Sequence, residues 1–445
     1  MFSKSKHIIL LLFFLVTSTF TRAQNGFEFV NPKHSKAKVN FKLNSNLIIL
    51  PVELNGVKLS FILDTGATNT LLFNVTNIDS LEIKNTRLIN INGLGSSKPI
   101  EAIHSEKNTL KIGNVINRNQ DLLLLVDREI NFSARLGVPI HGIIGSNLIK
   151  NFVFEINYSK EKMTFRKKED YKPKNKKYLT YDLIKRNNRY HIKADVNIND
   201  SIIPVNLLVD TGASDALWLF KDKKKGIHLP EKNFRDFIGR GIAGDIFGSR
   251  SRLKKIKLGK FELKNTKVAF PDSTNIALAF AQKDREGSLG SELLKRFNVV
   301  VNPYSQKLYL KKNRLYKKPF EYNMSGIQIQ HDGMRLIQVL DPSLFFQKKN
   351  EDGVDSNKVF SITGIYKTEL IPVYRIINVR ENSPAYEAGI KKDDILLSVN
   401  DNNLYDEKIG EILEMLSKKE GKKMRVTVDR KGKTLRFDFK LKRLL

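Results

Sequence analysis

Phe61-Ile62-Leu63-Asp64-Thr65-Gly66-Ala67 returns, altered but recognisable, as Leu207-Leu208-Val209-Asp210-Thr211-Gly212-Ala213. A second repeated pair follows at almost constant spacing. In Gly142-Ile143-Ile144-Gly145-Ser146-Asn147-Leu148, Gly145 lies 81 residues beyond Asp64. In Gly287-Ser288-Leu289-Gly290-Ser291-Glu292-Leu293, Gly290 lies 80 beyond Asp210. Each second motif opens a short helical run that ends near Phe152 or Phe297, and an extended stretch then reaches Asn157-Tyr158 or Pro303-Tyr304. The offset between copies is far longer than a solenoid period. Residues 38–165 and 178–313 therefore read as two copies of one lobe. One Asp-Thr-Gly is expected by chance in about a tenth of chains this long; two in the same setting are not.

Both copies read as β. The apolar run Ile48 to Leu54 meets Asn55-Gly56, a hairpin turn signal, and Val57 to Leu63 leads into the first Asp. His191 to Ile198, Asn199-Asp200 and Ile202 to Val209 repeat that plan. Pro204 in the second strand implies a bulge or an edge position. Residues 166–174, polar and broken by Pro173, read as a linker between the lobes.

Two aspartates at equivalent places in two lobes suggest one chemistry. Hydrolysing a peptide bond without metal or covalent intermediate needs one carboxylate to draw a proton from water and one acid to protonate the substrate. Two carboxyl groups held close cannot both ionise cheaply, so they share a proton. Gly66 and Gly212 allow close backbone approach. Thr65 and Thr211 can each offer a hydroxyl across the lobe interface. Ala67 and Ala213 keep the floor small and apolar.

These motifs resemble the retropepsin-like aspartyl proteases, with Asp-Thr-Gly-Ala in both copies. The resemblance implies two pseudo-twofold-related β-barrel lobes of the acid protease fold, with Asp64 and Asp210 as the catalytic pair in the cleft between them. It also implies that the segments 142–145 and 287–290 pack behind the Asp loops, where Ser288 interrupts the apolar run. Both copies lie on one chain, so catalysis should need no obligatory homodimer.

Gly239-Arg240-Gly241-Ile242-Ala243-Gly244 fits a dinucleotide fingerprint, but Asp245-Ile246-Phe247-Gly248 follows with no helical run. Its place after Asp210 parallels Asn92-Gly93-Leu94-Gly95 after Asp64. Both stretches read as hairpin tips that cover the cleft, or as plain tight turns. No G-x-S-x-G elbow or H-E-x-x-H pair occurs, and the seven histidines are scattered. No cofactor and no metal are expected.

Residues 318–445 form a third unit, in the order strand, short helix, strands, longer helix, hairpin. Ile409, Ile412, Leu413 and Leu416 fall at helical spacing. Ser383-Pro384-Ala385 through Asn400 is similar to the core of a bacterial PDZ domain, an α+β module, with Asp393 where that family has glycine. The resemblance implies a peptide-binding loop at Ser325-Gly326-Ile327-Gln328-Ile329. An extended or C-terminal peptide would add beside Ile327, its carboxylate on amides near Gly326. The insertion between about Leu340 and Pro372 is longer than usual. Because both aspartates lie upstream, deleting this unit is expected to spare hydrolysis of short peptides.

Lys4 and Lys6, the apolar run Ile8 to Val16 and Thr21-Arg22-Ala23 make residues 1–23 a secretory signal by pattern; the rival reading is an uncleaved membrane anchor, for which the run is short against the ~20 residues of a bilayer span. The expected location is the periplasm or cell envelope, or secretion. The net charge of +30 suits an anionic envelope surface. The lysine runs lack interleaved aromatics to stack bases, so nucleic acid is not an expected partner. Cysteine is absent, which excludes disulfides, thiolate catalysis and a lipidated cysteine. The leading expectation is an exported aspartic endopeptidase acting on polypeptides. The alternatives are a catalytically silent peptide-binding protein that keeps the fold, and an envelope scaffold acting through its third unit.

Overall fold

The computed structural model describes residues 26–75, 78–96, 99–126, 130–172, 177–277, 284–340, 366–417 and 419–445. The expected signal segment, part of the predicted linker and most of the insertion before Pro372 lie outside them. The described chain is mainly β.

The two hairpin signals fold as hairpins. Strands Leu47–Leu54 and Val57–Leu63 pair antiparallel from Leu54 and Val57 outward. Asn55 and Gly56 between them take φ of +48° and +90°, the double positive φ of a type I′ turn. Asn199 and Asp200, at φ +45° and +68°, do the same between Arg189–Ile198 and Ser201–Asp210. Alternation then sorts the faces. Leu59, Phe61 and Leu63 enter the main core, whereas Ile49 and Ile62 join a separate cluster on the cleft side. Pro204 stands opposite Asp195 in unbroken register, before its strand meets Gly287–Gly290. It occupies an edge stretch and makes no bulge.

Both lobes share one strand order. The Asp64 strand pairs parallel with Gly142–Ile144, which pairs antiparallel with Thr70–Leu72, itself parallel to Val115–Leu125. The Asp210 strand meets Gly287–Gly290, Leu217–Leu219 and Phe261–Pro271 in the same sequence and senses. A six-stranded sheet then joins the copies. Its central pair sets Val153–Asn157 of lobe 1 against Phe297–Asn302 of lobe 2, from Phe154↔Val301 to Asn157↔Asn298. Neither copy completes that sheet alone, so the register between lobes is fixed by main-chain pairing.

The third unit is an antiparallel sheet with two helices. Ser383 caps the helix Pro384–Glu387 by accepting from Tyr386 N (3.3 Å), with Pro384 at the first helical position. Asp393 sits at φ +71°, a conformation that a short polar side chain tolerates where glycine is more usual. In helix Ile409–Met415 and its cap, Ile409, Ile412 and Leu416 are buried in the unit's own core. This unit packs on both lobes. Gln328 Nε2 donates to Asp236 of lobe 2 (3.3 Å), and the Arg380 guanidinium lies 4.5 Å from the Phe234 ring centroid. Toward lobe 1, a Cβ at Gly137 would come within 3.1 Å of Ile409 Cδ1.

Candidate active site

The parallel pairing of each Asp strand with its Gly-containing segment carries Asp64 and Asp210 to the lobe boundary. Asp64 N donates to Ile144 O (2.9 Å), and Gly290 stands in register with Asp210. Glycine is required at the crossing points. A Cβ at Gly290 would lie 2.1 Å from Asp215 O, and one at Gly145 2.7 Å from Asn69 O.

Each loop folds back on its own carboxylate. Asp64 Oδ1 accepts from Gly66 N (2.7 Å) and Ala67 N (3.1 Å). Asp210 Oδ1 accepts from Gly212 N and Ala213 N, both at 3.1 Å. The threonines between them cross the boundary. Thr65 Oγ1 donates to Val209 O (2.6 Å) and accepts from Thr211 N (3.0 Å). Thr211 Oγ1 donates to Leu63 O (2.8 Å) and accepts from Thr65 N (3.0 Å). Both threonines are buried. Four bonds thereby set the loops face to face, and each carboxyl group lies against the glycine of the opposite loop. Burial first, and then the Asp210 charge, push the Asp64 carboxyl up to about 7. A carboxyl group so raised beside a second aspartate is the arrangement a general acid–base couple requires.

The environment of the pair is not symmetric. Ser288 Oγ donates to Asp210 Oδ2 (3.1 Å) and accepts from Arg285 Nη2 (2.7 Å). The equivalent position in lobe 1 is Ile143, which has no donor. Burial pushes the Arg285 guanidinium down to about 10, while the Asp210 charge holds it up. Beside the same loop, Asp215 accepts from Trp218 Nε1 (3.0 Å) and from buried Arg250 Nη1 (2.6 Å). Arg250 Nε also reaches Asp236 (2.8 Å), the residue that holds Gln328 of the third unit.

The aspartates open into a cavity of about 730 Å³. Hairpins from both lobes cover it: Thr86–Ile91 with Ile100–Ile112, and Asn233–Gly241 with Gly244–Leu258. Their tips meet, Ala243 N donating to Leu94 O (2.9 Å). Leu94 packs against the lobe 2 cluster of Trp218, Phe220, Ile238 and Ile246, and Ile242 packs against the lobe 1 cluster. A Cβ at Gly241 would lie 2.0 Å from Leu94 O. The glycines that imitate a dinucleotide fingerprint thus serve a tip-to-tip contact, and a strand follows them. Arg135 and Arg240 both pair with Asp245 at 3.0 Å, tying lobe 1 to the lobe 2 hairpin.

Gln328, Ile329, Ile377 and Leu413 of the third unit line the same cavity. The loop expected to hold a peptide carboxylate is otherwise arranged. Gly326 and Ile327 are buried. The amides of Ser325 and Gly326 donate to Asn323 Oδ1 (3.0 and 3.2 Å). Ile327 N donates to Ser325 Oγ (3.1 Å), and Ile327 O accepts from Asn323 Nδ2 (2.6 Å). The Asn323–Ser325 turn thus engages the groups that the sequence reading offers to a terminal carboxylate at Gly326 and an added strand at Ile327.

Sequence reading missed Arg285, Arg250, Asp215 and the cavity wall from the third unit. For Ser288 a signal existed: it is the position where the second copy departs from the first. The others are single polar residues in strands and loops, and only folding gives them partners.

An aspartyl protease family model matches residues 50–148 and again 194–293, and a PDZ domain model matches residues 375–430. Comparison with curated proteins gives no match.

Proposed function

We propose that this chain, which carries two retropepsin-like aspartyl protease lobes and a C-terminal PDZ domain, is an exported endopeptidase that hydrolyses polypeptides between Asp64 and Asp210. The observation that carries the reading is the pair of half-buried aspartates, each set against the other lobe's glycine and locked by Thr65 and Thr211 at the floor of a covered cavity. One carboxylate takes a proton from water as its oxygen attacks the scissile carbonyl. The other acid gives its proton to the carbonyl oxygen. When the C–N bond breaks, the proton taken from water passes to the leaving nitrogen, and a diol proton returns to the emptied carboxylate. The hairpin tips meet over the carboxyl pair, and parting of that contact admits a chain.

Incubating the full chain with a denatured protein across a pH series, with and without a statine-type transition-state mimic, tests this. The expected result is cleavage that the mimic blocks and that Asp64→Asn or Asp210→Asn abolishes. Peptide binding without cleavage at any pH would instead mark a silent peptide-binding protein. Export rests on the n-region, apolar run and small residues at Thr21 and Ala23, and the basic surface suits an anionic envelope. Mass spectrometry of envelope protein should find a mature chain that starts after Ala23; an intact Met1 start would overturn it.

A further inference from the structure

The lobes repeat each other closely around the carboxyl pair, yet one side carries a polar attachment that the other lacks. Asp210 accepts three hydrogen bonds from outside the pair: two amides on Oδ1 and the Ser288 hydroxyl on Oδ2. Asp64 accepts two, both amides on Oδ1. A guanidinium can only donate. Ser288 Oγ, receiving Arg285 Nη2, therefore has its single proton free to point at Asp210, and a hydroxyl so aimed favours an ionised carboxylate.

The surroundings leave Arg285 to this task. It is 8% exposed, its Nε donates to Gly287 O (3.3 Å), and its guanidinium carbon lies 5.3 Å from the Phe220 ring centroid. The acids flanking it in sequence are engaged elsewhere: Asp284 with Arg186 (3.0 Å), and Glu286 with Lys225 and with Asn206 N (2.7 Å). The charged groups that act on Arg285 are Asp210, Arg189 and Asp64. His191, on strand Arg189–Ile198, is pushed down to about 4 by burial and by Arg285, so it stays neutral near pH 7.

We propose that Arg285 and Ser288 form a one-sided relay that keeps Asp210 ionised and leaves the resting proton on Asp64. Asp210 is then the base that takes the proton of water, and Asp64 the acid that protonates the substrate carbonyl. Arg285 and Ser288 are positioning residues in this scheme, acting through Asp210. The assignment rests on the protease reading above.

The test is the pH profile of kcat/KM on a quenched fluorescent peptide for the full chain and for Ser288→Ala, Arg285→Met and Arg285→Lys. The relay stabilises negative charge on the pair, so its loss must raise the pH at which that charge forms. Ser288→Ala should move the acidic limb up by about one unit, and Arg285→Met should move both limbs up. Arg285→Lys, which keeps a cation and a donor, should lie between wild type and Arg285→Met. Activity that falls equally at all pH values, with unmoved limbs, would show a merely structural role and overturn the proposal. Carboxyl 13C titration of aspartate-labelled protein, with Asp64→Asn and Asp210→Asn assigning the two signals, reads the same asymmetry without turnover. Wild-type protein that cleaves nothing would remove the protease reading alone. Identical carboxyl titrations of wild type and Ser288→Ala would remove the relay whether or not the chain is a protease.

Discussion

Gly212 of lobe 2 faces Asp64 of lobe 1 so closely that a Cβ at 212 would lie 2.2 Å from the Asp64 carboxyl carbon. The reciprocal pair, Gly66 and Asp210, is looser, with the nearest carboxyl oxygen at 2.8 Å. The lobes therefore meet through glycine backbone on one side and carboxylate on the other, twice over. Gly212→Ala should force the Asp64 carboxyl out of plane and lower kcat more than 100-fold, with a smaller loss for Gly66→Ala. Steady-state kinetics of the two variants checks the order.

The threonine crossing can be probed without changing shape. Thr211→Val removes the donor to Leu63 O and the acceptor of Thr65 N, both buried. Leaving two buried main-chain groups unpaired should cost about 2–4 kcal/mol in urea unfolding. Thr211→Ser, which restores the hydroxyl, should recover most of it.

Asp64 also predicts a pH dependence of stability. Its carboxyl is raised from 3.8 to about 7 by burial and by Asp210. Between those values the folded chain holds a proton that the unfolded chain has released. Its contribution to stability is therefore fullest below about pH 4 and falls as pH rises toward 7, by on the order of 4 kcal/mol. Asp64→Asn should flatten that slope and be the more stable protein at pH 7. Urea melts from pH 4 to pH 8 measure the difference.

Arg250 bridges Asp215 beside the Asp210 loop and Asp236 beneath the PDZ domain, at 2.6 and 2.8 Å. Burial works against its charge, but the two carboxylates outweigh that and hold it more firmly protonated. Arg250→Met would leave two acids buried without their main partner and should cost about 3–5 kcal/mol. Calorimetry should show the loss, and limited proteolysis should show earlier cleavage around residues 318–324.

Leu413 tests the part played by the PDZ domain. From sequence, the domain is separable and short peptides should not feel it. In the structure Leu413 lines the cavity above the two aspartates along with Gln328, Ile329 and Ile377. Leu413→Glu places a charge in that wall, away from the carboxyl pair, and should raise KM for short apolar peptides about tenfold with kcat little changed. An unchanged KM would restore the separable reading.

Much of this protein follows from residue order. The repeat of Asp-Thr-Gly-Ala and of Gly-apolar-apolar-Gly encodes two β lobes, because turn chemistry at Asn55-Gly56 and Asn199-Asp200 and alternation along the strands are local properties. The same repeat marks Asp64 and Asp210, since like positions in like lobes can meet at a pseudo-twofold axis. What sequence could not supply is whatever depends on contacts between distant segments. Asn323 fills the Gly326 loop with its own carboxamide, a contact that no spacing rule announces. Leu413 shares a helical periodicity with Ile409, Ile412 and Leu416, but only the docking of the domain on the lobes turns it toward the cavity while the other three enter the core. Ser288 looked like a flaw in the second copy; placed between Arg285 and Asp210 it breaks the symmetry of the acid pair. Duplication sets two equal carboxylates in place, and the tertiary field around them decides which one keeps the proton.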